Sequence, residues 1–175
     1  CVEEEEACAA IVTAPAGVGK SRLRHEFLRR IKNRSNQPRI LTANVDLVQS
    51  NTPYAVIAQL ILTYCSLSGH EDSHVFQEQL SQNLSASVSE GDKERLVLFL
   101  GEIAGANFSS KEHPILAPGR DDPRIMRDQM RRAFIDWIKQ LITSSPLMII
   151  IDDLQWADEQ SMSLLDDMLT ELSNA

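Results

Sequence analysis

Apolar residues in the first 47 positions follow, in turn, the spacing of a strand, a helix and a second strand. Residues 7–13 form a short apolar run that predicts a buried strand. Apolar residues then recur at helical spacing from residue 20 to about Arg34, and residues 40–47 alternate as a strand does. A strand, a helix and a parallel strand are the repeating unit of α/β folds, so we expect a parallel sheet.

Helical spacing dominates residues 52–145. Thr52 and Pro53 are a favourable cap and first-turn pair for a helix that carries Ile57 and Leu60 on one face. The elements expected after it are helices over residues 73–84 and 96–103, a loop over residues 106–121 and a long amphipathic helix that begins at Asp122 and Pro123. This part of the chain is therefore predicted to be a helix-rich insertion between strands.

Residues 147–175 begin with the apolar run LMIII. A run with no polar face predicts a central parallel strand, because helices cover both faces of such a strand. We expect a helix from Asp158 onward, with Asp158 as its N-cap and Trp156 as a core anchor. The three segments, residues 7–47, 52–145 and 147–175, predict one partial α/β domain over residues 1–175. It has three layers, a parallel sheet with three recognisable strands, and the helical insertion between the second and third strands.

The formal net charge of −8 on 175 residues argues against direct nucleic-acid binding by this segment, because such binding depends on basic surface. The longest apolar run, residues 147–151, is too short to cross a bilayer, so no membrane association is expected. Cys1, Cys8 and Cys65 have neither an even count nor metal-ligand spacing, and they fit a reducing cytoplasm. The first residue is not Met, so we expect a piece of a longer chain.

The stretch APAGVGKS, residues 14–21, has the pattern of a phosphate-binding loop, with Ala14 in place of the first glycine. Gly17 and Gly19 permit the backbone angles that turn successive N–H groups towards a phosphate, and the helix that follows favours negative charge at its N-terminus. Lys20 can reach the β- and γ-phosphates and is also a candidate catalytic residue, while the Ser21 hydroxyl can ligate Mg²⁺. The candidate nucleotide-binding residues are Ala14, Pro15, Ala16, Gly17, Val18, Gly19, Lys20, Ser21 and Arg22. The alternative is a tight strand-to-helix turn without a ligand.

Two acids follow the LMIII run and give independent support for a nucleotide site. In an open parallel sheet, ligands bind at the carboxyl ends of the strands, so these acids are expected at the same edge as the loop. Asp152 is the candidate ligand of hydrated Mg²⁺, and Asp153 is the candidate catalytic residue that orients or deprotonates the attacking water. Taken alone, the pair is also typical of a turn or a helix cap.

The segments GVGKSRLRHEFLRRI and MIIIDDLQWAD resemble the ATPase domain of the STAND class of signalling NTPases, over about residues 10–170. The resemblance is greatest to bacterial members that lie beside serine/threonine kinase or nucleotide cyclase modules. It implies the P-loop NTPase fold, ATP/ADP and Mg²⁺ as cofactors, and a switch in which ATP replaces ADP, the molecule assembles and hydrolysis resets it. Gln155 stands where many relatives carry His. The implied partners are other domains of the same chain, such as helical repeats, and further copies of the protein.

Other functions remain open. One alternative is a regulatory or scaffold module that binds nucleotide with little or no hydrolysis. The sequence HEDSH matches the zinc-protease pattern through His70, Glu71 and His74, although Gly69 upstream reads as a helix break. Arg127, Arg131 and Arg132 share part of one helix and either form a solvated face or meet an acidic partner or a neighbouring subunit's nucleotide.

Overall fold

A computed structural model describes residues 7–32, 37–48, 51–70, 72–84 and 88–173 of the chain. Within these ranges the helices are α1 (Lys20–Lys32), α2 (Ala55–Cys65), α3 (Ser73–Asn83), α4 (Glu90–Ala104), α5 (Ala117–Asp121), α6 (Pro123–Ser144) and α7 (Glu159–Ser173). The strands are β1 (Arg39–Asn44) and β2 (Leu147–Asp152), and two short 3₁₀ helices span Pro114–Leu116 and Leu154–Trp156. The predicted helix end at Arg34 lies outside the described residues.

The sheet places the ends of β1 and β2 at one edge. The two strands are parallel, and their register runs from Arg39 opposite Leu147 to Asn44 opposite Asp152. The backbone N–H of Val45 then donates to the Asp152 carbonyl at 3.2 Å, which extends the pairing beyond the last residues of both strands. Asp152 therefore leaves the sheet at its carboxyl edge, as the sequence predicted.

The predicted strand over residues 7–13 is wrong. Residues 7–15 have no helix or strand conformation, and the side chains of Ile11 and Val12 are 74% and 61% exposed. A strand forms only when a neighbour accepts and donates its backbone hydrogen bonds, and no described residue pairs with the edge of β2 that β1 leaves open. The sheet of the described chain therefore has two strands where the sequence predicted three.

The core lies in the helical region, as expected from the spacing of residues 52–145. Helices α2, α4 and α6 pack against one another, and α2 also covers β1. Trp137 and Phe134 of α6 and Phe99 of α4 are almost fully buried, and Trp137 makes an edge-to-face contact with Tyr64 of α2. The helix-rich insertion thus forms most of the hydrophobic core and positions the sheet edge.

Several boundaries differ from the predictions. Helix α2 begins at Ala55, after Tyr54 in a left-handed conformation, so Thr52 and Pro53 do not cap it. The predicted loop over residues 106–121 contains a 3₁₀ turn and α5. Asp122 does cap α6, since its carboxylate accepts the Arg124 N–H at 2.8 Å.

Two burial predictions are also wrong. Strand β2 is half-buried along its whole length, because helices do not cover both of its faces among the described residues. Trp156 is 39% exposed and is not a core anchor. It lies in the 3₁₀ turn that follows the sheet edge, and no residue of that turn is buried.

Cysteine chemistry differs along the chain. Cys65 is a buried free thiol, and its burial raises its pKa to about 12. Cys8 is disulfide-bonded. Cys1 lies outside the described residues. None of the helices in the described part of the chain combines the length and apolar character needed to cross a lipid bilayer.

Candidate functional site

The candidate phosphate loop has the backbone that its glycines predict. Gly17 and Gly19 have φ values of 81° and 98°, a region that residues with a Cβ rarely adopt. No atom lies within 4 Å of a Cβ built at either position, so the backbone angle is what requires glycine there. Helix α1 starts directly afterwards, and its first internal hydrogen bond joins the Leu23 N–H to the Gly19 carbonyl at 2.9 Å. The N–H groups before Leu23 have no intrahelical acceptor and are suited to an anion.

Lys20 folds back across the loop. Its Nζ donates to the carbonyl oxygens of Ala14 at 2.7 Å and Pro15 at 3.0 Å. These bonds hold the ammonium group over the curled part of the loop, while Ser21 and Arg22 are exposed in the first turn of α1. A phosphate group at the N-terminus of α1 would offer Lys20 anionic oxygens in place of the two carbonyls, and charge-assisted bonds are the stronger kind.

Asp152 contacts the same helix. Its Oδ2 lies 2.7 Å from Nη1 of Arg24, in an ion pair whose side chains are 30% and 40% exposed respectively. Arg24 and Ser21 are three residues apart on α1 and therefore share one face of it. The ion pair thus links the end of β2 to the face of α1 that carries Ser21. Sequence reasoning did not identify Arg24, although its spacing from Ser21 was a usable signal.

Asp153 occupies a strained position directly after β2. Its φ and ψ of 56° and 40° lie in the left-handed region, which Asp and Asn tolerate better than most residues. The Asp153 carboxylate accepts a hydrogen bond from Nε2 of Gln155 at 3.0 Å. Non-glycine residues in this conformation cluster at functional sites. Gln155 is thus the residue that contacts the Asp153 carboxylate, a contact that the sequence did not predict.

Asp158 fixes the helices that frame this edge. Its Oδ1 accepts the N–H of Ser161 at 2.8 Å, which makes it the N-cap of α7 as predicted, and also accepts the N–H of Tyr54 at 2.8 Å. The Ser161 hydroxyl in turn accepts the Ile57 N–H at 3.4 Å. One buried carboxylate thus joins the start of α2 to the start of α7, close to the two acids.

Charge along α1 is arranged around Glu26. Hydrogen bonds from Arg29, together with the neighbouring Arg30, lower the pKa of Glu26 from 4.5 to about 2, although desolvation opposes them. Arg29 donates through Nε and Nη2 at 3.0 Å and 2.8 Å. Glu26 is two positions from Arg24, so the two side chains do not share a face of α1, and Arg24 pairs with Asp152.

The oxygen donors of the edge fit Mg²⁺. This ion prefers carboxylate and hydroxyl oxygens together with water and phosphate, which are the groups that Asp152 and Ser21 supply beside a helix N-terminus. Two cavities, of about 450 Å³ beside Arg95 and about 360 Å³ beside Tyr54, lie elsewhere on the helical region. Neither of these two cavities is lined by the loop or the two acids.

The other sequence-predicted groups do not form sites of their own. Helix α3 begins at Ser73, so His70 is not on the helix that carries His74, and Glu71 lies outside the described residues. No group of three metal-ligating side chains occurs in the described part of the chain, so the zinc alternative lacks a site there. Arg131 pairs with Asp167 at 2.7 Å, which favours the reading of that helix face as internally paired.

A parallel sheet, a glycine loop that opens a helix and an acid at the adjacent strand end are together typical of P-loop nucleotide-binding domains. The chain matches the AAA ATPase domain family over residues 2–175 and belongs to that family. Membership implies a P-loop α/β fold and indicates ATP binding and hydrolysis, which in this family generally use Mg²⁺. The same comparisons found no significant match among curated proteins or solved structures.

Proposed function

We propose that this segment is the Mg²⁺-dependent ATP-binding and ATP-hydrolysing module of a larger switch protein of the STAND class. The observation that carries the proposal is the contact between Asp152 and α1, which places the acid of β2 against the helix that opens at the phosphate loop. Without that contact, the glycine loop and the acids would be two separate motifs. The contact supports the proposal that they form one site, which would offer amides, an ammonium group, a hydroxyl and carboxylates.

Each side chain has a distinct role in the proposed site. The amides of residues 17–22 hold the phosphates at the N-terminus of α1, and Lys20 leaves the carbonyls of Ala14 and Pro15 to contact the β- and γ-phosphates. Ser21 and Asp152 hold hydrated Mg²⁺, which neutralises phosphate charge when bound. Asp153 accepts a proton from the attacking water or orients it, and Gln155 keeps its carboxylate in place.

Lys20→Ala tests the phosphate site, with Lys32→Ala as the matched control. Both changes remove one lysine from α1, but Lys32 lies in the last turn, away from the loop. We expect Lys20→Ala to weaken binding of a fluorescent ATP analogue at least about tenfold, since it removes a charge-assisted contact to phosphate, and Lys32→Ala to bind as the wild type does. Equal binding by the wild type and Lys20→Ala would contradict the proposal.

Asp153→Asn separates hydrolysis from binding. Asn tolerates the left-handed backbone at this position, so the substitution removes the charge without adding backbone strain. We expect single-turnover ATP hydrolysis to fall at least about a hundredfold with little change in ATP affinity, because a positioned general base typically contributes that much or more. If single-turnover hydrolysis is unaffected, the second function, nucleotide binding with little turnover, becomes the better account.

The proposed switch also predicts behaviour of the longer protein. We propose that partner domains of the same chain, such as a kinase or cyclase module or helical repeats, sense whether ATP or ADP is bound. ATP-dependent self-association is the expected output. Analytical ultracentrifugation of the full-length protein in ATP and in ADP tests this, and the same sedimentation in both nucleotides would contradict it.

A further inference from the structure

Arg24 holds the carboxylate that the proposed site needs for Mg²⁺. Its Nη1 lies 2.7 Å from Oδ2 of Asp152, and both side chains are accessible to solvent. Glu26, the acid of α1, pairs with Arg29 and Arg30 and lies two positions from Arg24, on a different face of the helix. The cation on Asp152 in this structure is therefore a guanidinium, supplied by the helix that carries the phosphate loop.

We propose that Arg24 is a counter-cation that Mg²⁺ must displace from Asp152. Arg24 thereby sets the Mg²⁺ concentration at which the site binds a nucleotide. The proposal rests on the proposed function for the identity of the site. It assigns to Arg24 a regulatory role that is separate from phosphate binding by Lys20 and metal binding by Ser21 and Asp152.

Displacement is chemically reasonable for this pair. An ion pair between partly exposed side chains is weak, so a divalent ion that also contacts Ser21 and phosphate can replace the guanidinium. Arg cannot lose its proton near neutral pH, so the competition is between two cations and does not depend on titration of Arg24. The long side chain also lets the guanidinium move away without any change in the backbone of α1.

The pair has a second consequence while it is intact. It joins the first turns of α1 to the end of β2, and α1 otherwise makes little contact with the described protein, since Ile31 is its one buried residue. The Arg24–Asp152 pair is thus one link between the phosphate-loop helix and the sheet edge when Mg²⁺ is absent. Binding of Mg²⁺ replaces this link with one that runs through Ser21 and Asp152.

The test measures the free Mg²⁺ concentration that gives half-maximal binding of a fluorescent ATP analogue. Arg24→Gln removes the competing charge, Arg24→Lys keeps it, and Arg29→Gln removes an equal charge from the same helix without touching Asp152. We expect Arg24→Gln to need about threefold less Mg²⁺ than the wild type, which lies within the range that an exposed ion pair contributes to an equilibrium constant. Arg24→Lys and Arg29→Gln should stay near the wild-type value, and binding in EDTA should not tighten in Arg24→Gln.

Two outcomes overturn the proposal. One is a Mg²⁺ requirement of Arg24→Gln that equals or exceeds that of the wild type. The other is a decrease in the Mg²⁺ requirement of Arg29→Gln that is as large as the decrease in Arg24→Gln. Failure of the wild type to bind the analogue at all would instead refute the proposed function. The role of Arg24 is then decided by measuring Mn²⁺ binding to the nucleotide-free protein with electron paramagnetic resonance. Tighter Mn²⁺ binding by Arg24→Gln, lost in Arg24→Gln combined with Asp152→Asn, supports the proposal, and equal binding by wild type and Arg24→Gln overturns it.

Discussion

Removal of the Asp158 carboxylate should destabilise the protein more than the loss of a single N-cap hydrogen bond would. Asp158 is 4% exposed, and its Oδ1 accepts N–H groups from both Ser161 and Tyr54 at 2.8 Å. Asp158→Ala therefore leaves two backbone donors of two different helices without an acceptor. The change acts at once on the N-terminus of α7 and on the turn that precedes α2.

The size of the effect follows from these bonds. A hydrogen bond to a charged group contributes about 1.5–3 kcal/mol, and two of them are lost. Part of that loss is offset because the buried carboxylate no longer has to be desolvated, and its Oδ2 has no hydrogen-bond partner. We expect Asp158→Ala to lower the free energy of unfolding by about 3 kcal/mol, and Asp158→Asn, which keeps Oδ1, by about 1 kcal/mol.

Urea denaturation followed by far-UV circular dichroism measures both values. Asp166→Ala is the matched control, because Asp166 is an exposed residue of the same helix and its replacement should change stability by no more than about 0.5 kcal/mol. The reasoning is refuted if Asp158→Ala costs less than about 1 kcal/mol, or if Asp158→Asn is as damaging as Asp158→Ala.

Two further predictions concern packing and charge. In α4, the Cβ of Gly91→Ala meets no atom within 4 Å, so this substitution should stabilise the protein by up to about 1 kcal/mol. The Cβ of Gly101→Ala would lie 2.9 Å from Cζ of Phe108, so that substitution should destabilise the protein by about 1–3 kcal/mol. Urea denaturation of both variants measures the change in the free energy of unfolding. Changes of the same sign in the two variants would contradict the packing argument. Because the folded pKa of Glu26 is lowered from 4.5 to about 2, its contribution to stability is present above pH 4.5 and is lost as the pH falls through about 2. NMR titration of its carboxyl carbon should give a midpoint near 2 that rises in Arg29→Gln, and a wild-type midpoint near 4.5 would show that the arginine contacts do not persist in solution.

Local chemistry explains what the sequence predicted correctly. The left-handed glycines of the loop, the start of α1 at Lys20 and the cap of α6 by Asp122 all depend on residues within a few positions of one another. The apolar run LMIII predicted β2, because β-branched residues without a polar face have few other structures available in a small domain.

The wrong strand and the missed contacts of the site concern parts of the chain that are distant in sequence. Residues 7–13 have the composition of a strand, but strand formation depends on a hydrogen-bonding neighbour that their own sequence does not encode. The link from Asp158 to Tyr54 spans 104 positions, and the ion pair of Arg24 with Asp152 joins α1 to β2 across the whole helical region. Side-chain type indicated that these residues were polar, but not which partner each would find.

The left-handed backbone at Asp153 also affects how this protein can change during evolution. Substitution by Asn or Gly needs one nucleotide change and keeps a residue that tolerates the turn, whereas most other side chains add roughly 1–2 kcal/mol of strain there. If Asp153 has the proposed catalytic role, the substitutions easiest for the fold are among those that abolish hydrolysis. A lineage can therefore drift from an ATPase to a nucleotide-binding module without first losing stability, while recovery of activity requires the return of one particular side chain.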